Sequence, residues 1–340
     1  MNITTLGIDI AKQVFQLHGT DSRGRVTLKK RLRRSQLLTF MQQLPPCLVG
    51  MEACAGAHYW AKKFQSYGHA VKLIAPQYVK PYVKTNKNDY NDAEAINEAV
   101  TRPNMRFVGI KADWQQDIQA LHRVRSRLMQ SRTTLVNQIR GLLQEYGVVF
   151  PRQISHLRRG LPLILADTEN ELSEQARALF AALYEELQEV DLRITQQDKQ
   201  LLAIHKASEL CQRLGEVEGV GPLTATAFVS ALGEAGMFRR GRDCSAWLGL
   251  VPRQFSSGGK TVLGGISKRG DRYLRTNLIH GARSVIARAE GKTDARSIWL
   301  MQLKARVGMN KACVALANKN ARILWALMAS GERYRASEPV

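Results

Sequence analysis

Short apolar runs with the alternation of β-strands are separated by runs with helical spacing throughout the first hundred residues. The pattern predicts three strands, then a helix and a strand twice over, then a further helix, at residues 6–10, 14–19, 26–32, 35–44, 47–53, 57–67, 70–75 and from 91 onward. The DSRGR turn between the second and third strands predicts a meander of the first three.

The strands disappear from about residue 114 to 143 and again from 171 to 202, where the apolar spacing is helical. In the second segment the apolar residues follow alternating three- and four-residue steps, as the seam between two helices requires: Leu172, Ala176, Leu179, Leu183, Leu187, Val190 and Ile194. We interpret residues 151–162 as the connection of a long helical hairpin that serves as a spacer or dimerisation arm.

Three antiparallel strands followed by α/β alternation are the order of an RNase H-like fold, although many α/β folds would give a similar pattern. We therefore predict an α/β plus α protein of three domains. They are an RNase H-like domain at 1–110, a helical hairpin or coiled coil for oligomerisation at 111–205, and a mostly α-helical domain at 206–340.

The chain carries 50 lysines and arginines against 29 acidic residues, a net charge of +21. Such a surplus favours a polyanionic partner, nucleic acid first and an anionic membrane surface second. No apolar stretch is long enough to span a bilayer and no leader opens the chain, so we expect a cytoplasmic protein without a membrane partner. From residue 239 onward, 20 basic residues face 6 acidic ones, which concentrates the charge in the last third.

Several common site types lack their sequence signatures. The five cysteines include no CxxC pair and share no ligand spacing with the seven histidines, so we predict reduced thiols and no zinc site. The glycines form no GxxxxGK[ST] phosphate loop, which argues against ATP use, and no GxSxG motif supports a serine hydrolase.

Four carboxylates form the first candidate site. Asp9 and Glu52 each end an apolar strand, where a carboxylate is costly unless a cation neutralises it. Asp89 and Asp92 are three residues apart, so a helix that begins there would place both on one side of its first turn. Either one alone is more simply a helix cap or a first-turn charge. Together the four predict a site for Mg²⁺ or Mn²⁺ of the kind that drives phosphoryl transfer.

A glycine hairpin, Gly219-Val220-Gly221-Pro222, separates two short helical stretches. Its backbone N–H groups at a helix N-terminus could bind a phosphate without reading sequence, as in a helix-hairpin-helix motif. A glycine-rich turn between two packed helices also needs no ligand, and both interpretations stay open.

Ser256 and Ser257 precede Gly258-Gly259 in a segment that we expect to be a flexible loop. A serine there can attack phosphorus while guanidinium groups stabilise the developing charge, although such a loop is more often only a loop. The surrounding cations are the predicted nucleic-acid contacts, together with Gly219 and Gly221: Arg253, Lys260, Lys268, Arg269, Arg272 and Arg275.

The order and spacing of these segments resemble the DEDD-type insertion-sequence transposases, relatives of the Piv DNA invertase that are described as bridge-RNA-guided recombinases. The resemblance covers nearly the whole chain, through GIDIAK, MEACAG, KNDYNDA, the GVG hairpin, GLVP, SSGGK and ISKRGD. It implies that Asp9, Glu52, Asp89 and Asp92 are the metal-binding tetrad of a RuvC-like domain. It also implies that Ser257, with Ser256 as the reserve, is the nucleophile.

The resemblance further implies a covalent phosphoserine intermediate, donor and target double-stranded DNA, a structured bridge RNA that selects the sites, and a homodimer or homotetramer. Two other hypotheses stay open: a structure-selective nuclease that uses water, and a non-enzymatic nucleic-acid-binding protein. Transposition and site-specific inversion use the same chemistry, so the protein sequence separates them poorly.

Overall fold

The structure is a computed structural model that describes residues 2–84 and 89–335, apart from the side chain of Asp89. The chain divides into two compact units, Met1–Ala112 and Asp113–Val340. The three-domain division stays a prediction. Within the described ranges, no helix is both long and apolar enough to cross a membrane.

The first unit is built around a six-stranded sheet with the order β3-β2-β1-β4-β5-β6. Its elements in chain order are β1 (Thr5–Ile10), β2 (Val14–Thr20), β3 (Val26–Arg33), α1 (Arg34–Gln43), β4 (Leu48–Glu52), α2 (Ala57–Ser66), β5 (Ala70–Ile74), α3 (Pro76–Val79), a 3-10 turn (Lys80–Tyr82), α4 (Asp89–Val100) and β6 (Phe107–Val108).

Strand pairing in this sheet confirms the predicted meander, because β1, β2 and β3 are antiparallel neighbours. Strands β1, β4 and β5 are parallel to one another, and the short β6 closes the edge antiparallel to β5. This mixed α/β arrangement is compatible with the RNase H-like fold that the sequence predicts. The three parallel strands end at the same edge of the sheet, and their last residues therefore lie close together.

Strand alternation assigns the side chains of β1 and β4 to two different faces. Leu6 and Ile8 are fully buried in the main core with residues of α1 and α2. Gly7 and Gly50 point the other way, toward α4. A methyl group on Gly7 would overlap the carbonyl oxygen of Ala93, so only glycine admits the helix this close. Asp9 and Glu52 lie two residues beyond these glycines, so alternation places them on the same face of the sheet, which α4 covers.

A buried amide fixes the position of α4 on the sheet. Asn97 donates from Nδ2 to the carbonyl oxygens of Thr5 and His18, at 3.1 and 3.0 Å. Its Oδ1 accepts from the hydroxyl of Thr20 at 3.2 Å. Because a buried amide without partners is costly, these bonds resist sliding of the helix along β1 and β2.

The second unit is helical except for one β-hairpin in its described part. Its elements are α5 (Asp113–Gln144), α6 (Ile154–Ala166), α7 (Glu174–Ala207), α8 (Glu209–Gly215), α9 (Pro222–Leu232), a 3-10 turn (Ala235–Met237), α10 (Gly241–Trp247), β7 (Pro252–Ser257), β8 (Lys260–Ile266), α11 (Arg272–Ala287), α12 (Ala295–Val307) and α13 (Met309–Ser330).

Helices α5 and α7 form an antiparallel arm, as the sequence predicts. Ion pairs join the two helices where basic residues of α5 meet acidic residues of α7: Arg125 with Asp198, and Arg132 with Asp191. The predicted seam is wrong at Leu179, which is 51% exposed. The fully buried residue is its neighbour, the larger Phe180, whose ring packs edge-on against that of Tyr146.

Residues 151–162 connect the arm helices, as predicted, and the connection contains a helix that the sequence did not indicate. Most of it belongs to α6, whose Leu157 and Leu161 are fully buried in the arm core. The four-residue spacing of these leucines gives the segment an apolar helical face, and Pro162 is accommodated inside the helix. The prolines at its ends conceal this pattern in the sequence.

The close approach of α4 to β1 generates a prediction. Replacing Gly7 with alanine places a methyl group 2.5 Å from the backbone nitrogen of Asn97. Backbone cannot move aside as a flexible side chain can, so we expect a loss of about 1–3 kcal/mol in the free energy of unfolding of the first unit.

Urea denaturation followed by circular dichroism measures this loss. The control is Gly141→Ala, which adds a methyl group into open space on the exposed side of α5. An unchanged unfolding midpoint in Gly7→Ala would contradict the glycine requirement.

Candidate metal centre and serine hairpin

Three carboxylates of the first unit line one cleft at the carboxyl edge of the parallel strands. Asp9 comes from β1, Glu52 is the last residue of β4, and Asp92 lies in the first turn of α4. Alternation explains the first two, since Asp9 follows Gly7 and Glu52 follows Gly50 on the face that α4 covers. The cleft has a volume of about 330 Å³. The fold therefore brings together residues that are far apart in sequence.

The fourth predicted ligand, Asp89, is the first residue of α4, and its side chain lies outside the described part of the structure. It stands one helical turn before Asp92 at the end of α4 that carries the other acid. Among the described side chains by themselves, no group of three His, Cys, Asp or Glu residues is arranged closely enough to hold a metal ion.

Electrostatics within the cleft favour a cation. Burial, then the neighbouring carboxylates of Asp9 and Asp92, raise the pKa of Glu52 above its ordinary value. Burial, Glu52 and Asp9 likewise raise the pKa of the Cys54 thiol. Negative charge is thus concentrated where solvent screens it poorly, and a divalent cation would relieve the repulsion. Carboxylate oxygens are the hard ligands that Mg²⁺ and Mn²⁺ prefer, so the donor set fits such an ion.

Two further residues of this cleft were missed from the sequence. Gln77 in α3 and Lys80 in the following 3-10 turn line the cleft beside the acids. Both follow β5, whose carboxyl end lies at the same edge as those of β1 and β4. The predicted strand at residues 70–75 could have indicated both residues, because residues just after a parallel strand can reach a site at the carboxyl edge of the sheet.

The glycine hairpin of the second unit separates α8 from α9, as predicted. Gly219 has a φ of +83°, and its backbone abuts Gly281 of α11, so the turn and the helix contact both require glycine there. Gly221 is exposed, caps α9 at its N-terminus and has open space around its Cα. Packing therefore explains Gly219, whereas Gly221 is the member of the pair that is accessible to a ligand.

The serine segment is a β-hairpin rather than the predicted flexible loop. Strands β7 and β8 are joined by Gly258 and Gly259, whose φ values of +54° and +77° suit the tight two-residue turn of such hairpins. Ser257 is the last residue of β7 and pairs with Lys260 across the turn. The two consecutive glycines, read as signs of flexibility, instead fix the turn.

The two serines differ in their surroundings. The hydroxyl of Ser256 accepts a hydrogen bond from Nε2 of Gln254 at 2.8 Å and lies 3.2 Å from the hydroxyl of Thr261. Ser257 projects to the opposite face of the hairpin and is exposed. Its hydroxyl makes no hydrogen bond to any other described residue.

The predicted nucleic-acid contacts around the serines fall into two groups. Five of them are exposed: Arg253, Lys260, Lys268, Arg269 and Arg272. Arg275 is only 8% exposed, and its Nη1 donates to the carbonyl oxygens of Leu248 and Arg269, each at 3.0 Å. The assignment of Arg275 as a nucleic-acid contact is therefore withdrawn. Its guanidinium instead ties together the chain segments before and after the hairpin.

Comparisons with known proteins identify the family of the chain. A DEDD transposase profile matches residues 6–148, and a profile described as transposase IS116/IS110/IS902 family matches residues 211–297.

Full-length relatives strengthen the match. The chain is 51% identical over 98% of its length to a probable family 20 transposase of Pseudomonas aeruginosa strain PAO1, covering 99% of that protein. It is 50% identical to the transposase for insertion sequence element IS1111A of Coxiella burnetii, over 98% of this chain and 92% of that one. The transposase for IS1328 of Yersinia enterocolitica is 41% identical over 97% and 98%.

The chain is thus a DNA transposase, an enzyme of DNA recombination. It belongs to the IS116/IS110/IS902 family of insertion-sequence transposases. Membership with a DEDD domain implies a divalent metal ion.

Because of the repulsion in the acidic cleft, we expect Glu52→Gln to have opposite effects on stability without and with a metal ion. In EDTA near neutral pH, Glu52→Gln should raise the free energy of unfolding, because it removes a half-buried charge that faces two carboxylates. Since folding raises the pKa of Glu52, ionisation of this group disfavours the folded state as the pH rises. The gain should therefore vanish at low pH, where Glu52 is protonated in both states.

With Mg²⁺ or Mn²⁺ the order should reverse. A metal at a hundred times its dissociation constant stabilises the wild type by about 2.7 kcal/mol, and Glu52→Gln should lose most of this shift. Thermal denaturation with and without metal measures both effects. Glu98→Gln, in the surface ion pair of α4 with Arg102, is the control. A full metal-induced shift in Glu52→Gln would rule out Glu52 as a ligand.

Proposed function

We propose that this transposase cuts and rejoins the DNA strands of an insertion sequence through a phosphoserine intermediate on Ser257, assisted by a divalent metal at Asp9, Glu52, Asp89 and Asp92. The observation that carries the metal half is the shared cleft of Asp9, Glu52 and Asp92, with its raised pKa at Glu52. Family membership supports the assignment of Asp89 as the fourth ligand.

Mg²⁺ is the metal that we favour, with Mn²⁺ as a substitute, because all four groups offer only carboxylate oxygens. When bound, such an ion stabilises charge on the reacting oxygens of a phosphodiester. The protein's own contribution is to hold the acids at the ends of rigid strands and of α4. Lys80, in the same cleft, adds a cation that can contact a DNA phosphate.

Ser257 is the proposed nucleophile, and its place beside the hairpin turn supports it. Its oxygen attacks the phosphorus of a DNA phosphodiester. An Oγ–P bond forms while the bond to the departing strand breaks, and that strand leaves as a hydroxyl after taking a proton. The serine proton passes to solvent or a carboxylate. A hydroxyl end of another strand then attacks the phosphoserine and releases Ser257, which conserves the number of phosphodiester bonds.

The exposed cations near Ser257 suit a phosphate backbone rather than base edges. We propose that donor and target duplexes contact Arg253, Lys260, Lys268, Arg269 and Arg272, with backbone N–H groups near Gly221 as a further phosphate site in a helix-hairpin-helix arrangement. Gly219 shapes that turn.

A structured bridge RNA is the proposed determinant of site choice, as the family resemblance implies. The support is indirect: the chain has a net charge of +21 and only 7% aromatic residues, which suits contact with backbone and shape while base pairing supplies sequence.

A homodimer or homotetramer is the proposed assembly, with the α5–α7 arm as its interface. Apolar side chains exposed on the arm support this: Val149 is 76%, Leu163 71% and Leu192 58% exposed.

Covalent trapping tests the nucleophile. Ser257→Ala should abolish a denaturant-resistant protein–DNA adduct formed on nicked element ends in the presence of the element's non-coding RNA and Mg²⁺. The hydroxyl is the attacking group, so the loss should be complete rather than partial. Gel electrophoresis with labelled DNA measures the adduct.

The control is Ser256→Ala, which should keep the adduct because that hydroxyl is held by Gln254 on its own strand and by Thr261 on the neighbouring strand. Adduct formation by Ser257→Ala, together with its absence in Ser256→Ala, would move the assignment to Ser256. Metal-dependent cleavage without an adduct in the wild type would instead indicate a nuclease that uses water. Leaving out the RNA tests whether it is required.

A further inference from the structure

We propose that a cationic pocket in the second unit, between α12, α13 and the segment that follows α13, binds one unpaired nucleotide of a nucleic-acid strand. The proposal rests on the proposed function only in that the partner is a nucleic acid. The pocket has a volume of about 480 Å³. Ligand pockets usually hold about 300–1,000 Å³, so a single nucleotide is an appropriate occupant.

Each wall of the pocket contributes a cation or an aromatic ring. Helix α12 provides Arg296 and Trp299, and α13 provides Lys319. The segment after α13 provides the remaining side chains that matter here: Arg333, Tyr334 and Arg335.

The segment after α13 is held against the helical core. The guanidinium of Arg213 donates to the carbonyl oxygen of Gly331, and the backbone N–H of Tyr334 donates to Oε2 of Glu216 at 3.3 Å. Nη1 of Arg296 donates to the Tyr334 hydroxyl at 2.8 Å. These bonds make the segment a wall of the pocket.

Charge in the pocket is unbalanced. Four cations line it, whereas Glu332 is the single carboxylate among the described lining residues. No carboxylate of the described chain lies within ion-pair distance of Lys319. Burial and the nearby Arg296 and Arg322 lower the pKa of Lys319, as expected for an ammonium group among other cations. A bound anion would relieve this repulsion.

Arg296 fixes the base of the pocket through contacts with three different segments of the chain. It is only 8% exposed. Its two terminal nitrogens bond to the Tyr334 hydroxyl, the Asn320 amide and the Glu218 carbonyl. Nε is buried and has no hydrogen-bond acceptor in the described structure, with Oε2 of Glu218 at 3.6 Å. The pair with Glu218 and these bonds hold the Arg296 side chain in place, so Arg296 shapes the pocket. The accessible cations that an anion can contact are Lys319, Arg333 and Arg335.

The aromatic rings distinguish a nucleotide from a bare phosphate. Trp299 and Tyr334 are half-buried in the pocket, and Nζ of Lys319 lies 4.6 Å from the centre of the Trp299 ring. Cations interleaved with aromatic rings are typical of sites that bind a single strand, where rings stack on bases and cations follow the phosphates. A base paired in a duplex is not free to enter such a recess, so the occupant must be unpaired.

Binding and cross-linking of single strands test the pocket. Fluorescence anisotropy of full-length protein with labelled single-stranded DNA and RNA, in EDTA, separates binding from catalysis. Trp299→Leu should weaken binding roughly 5- to 100-fold, the usual range for loss of one stacked base. Lys319→Gln should lower the slope of log affinity against log salt by about 0.7, one phosphate contact on a single strand.

Lys311→Gln is the control, because it removes the same charge from the exposed N-terminal turn of α13, outside the pocket. Thermal denaturation establishes that each variant is folded. Strands containing 4-thiouridine or 4-thiothymidine should cross-link to Trp299 or Tyr334, and the more efficient of the two arms identifies RNA or DNA as the source.

Three results would each overturn the pocket: wild-type affinity and salt slope in Lys319→Gln, cross-links confined to other residues, or equally effective competition by a blunt duplex or a free mononucleotide. The assay uses neither metal nor Ser257. Absence of a protein–DNA adduct in the wild type, with intact pocket cross-links, would therefore count against the proposed function alone. A wild-type adduct without pocket cross-links would count against the pocket alone.

Discussion

The close contact of α4 with β1 and β4 is the constraint on which the acidic cleft depends. Gly7 and Gly50 leave no side chain between the strands and the helix, and the Asn97 amide fixes the helix along the sheet. Because strand side chains alternate, the acids two residues beyond these glycines share the helix-covered face with Asp92. The pKa of Glu52 is raised there by burial and then by the neighbouring carboxylates of Asp9 and Asp92. Packing of α4 on the sheet thus holds three carboxylates close together despite their repulsion. A bound cation would remove that repulsion, which favours metal binding.

Unlike the acidic cleft, the serine hairpin is not held by a buried core, since almost all of its residues are exposed. Phe255 and Val262 are 66% and 62% exposed. An isolated two-stranded hairpin is marginally stable in water. Its order therefore comes from the tight glycine turn at one end and from Arg275, which bonds to carbonyl oxygens on both sides of the hairpin, at the other. Ser257 stands beside the turn, accessible to a large substrate, while its backbone is held by the ladder.

The arm and the C-terminal third differ in how far their basic residues are paired with acidic ones. On the arm, two arginines of α5 pair with acidic residues of α7, so part of that charge is neutralised internally. In the C-terminal third, the exposed cations near Ser257 lack such partners among the described residues. In the α12–α13 pocket Arg296 pairs with Glu218, whereas Lys319 has no carboxylate of the described chain within ion-pair distance. An excess of this kind suits a substrate that brings its own negative charge. The two halves of the proposed chemistry, acids for a metal and cations for phosphates, are therefore assigned to different units of the chain.

The sequence by itself determined the order of strands and helices, the meander and the helical arm, because these follow from local periodicity. Charges at strand ends also indicated Asp9 and Glu52 as metal ligands, and that role stays a prediction. Sequence-based predictions were wrong for features that depend on contacts between residues distant in sequence. Two glycines after Ser257 suggested a flexible loop, whereas strand pairing makes them a fixed turn. Arg275 looked like its exposed neighbours until packing buried it. The helix within residues 151–162 is stabilised by the arm core, not by its own proline-flanked sequence. The contribution of Gln77 and Lys80 to the cleft was decided by the sheet, since parallel strands bring their carboxyl ends together irrespective of sequence separation.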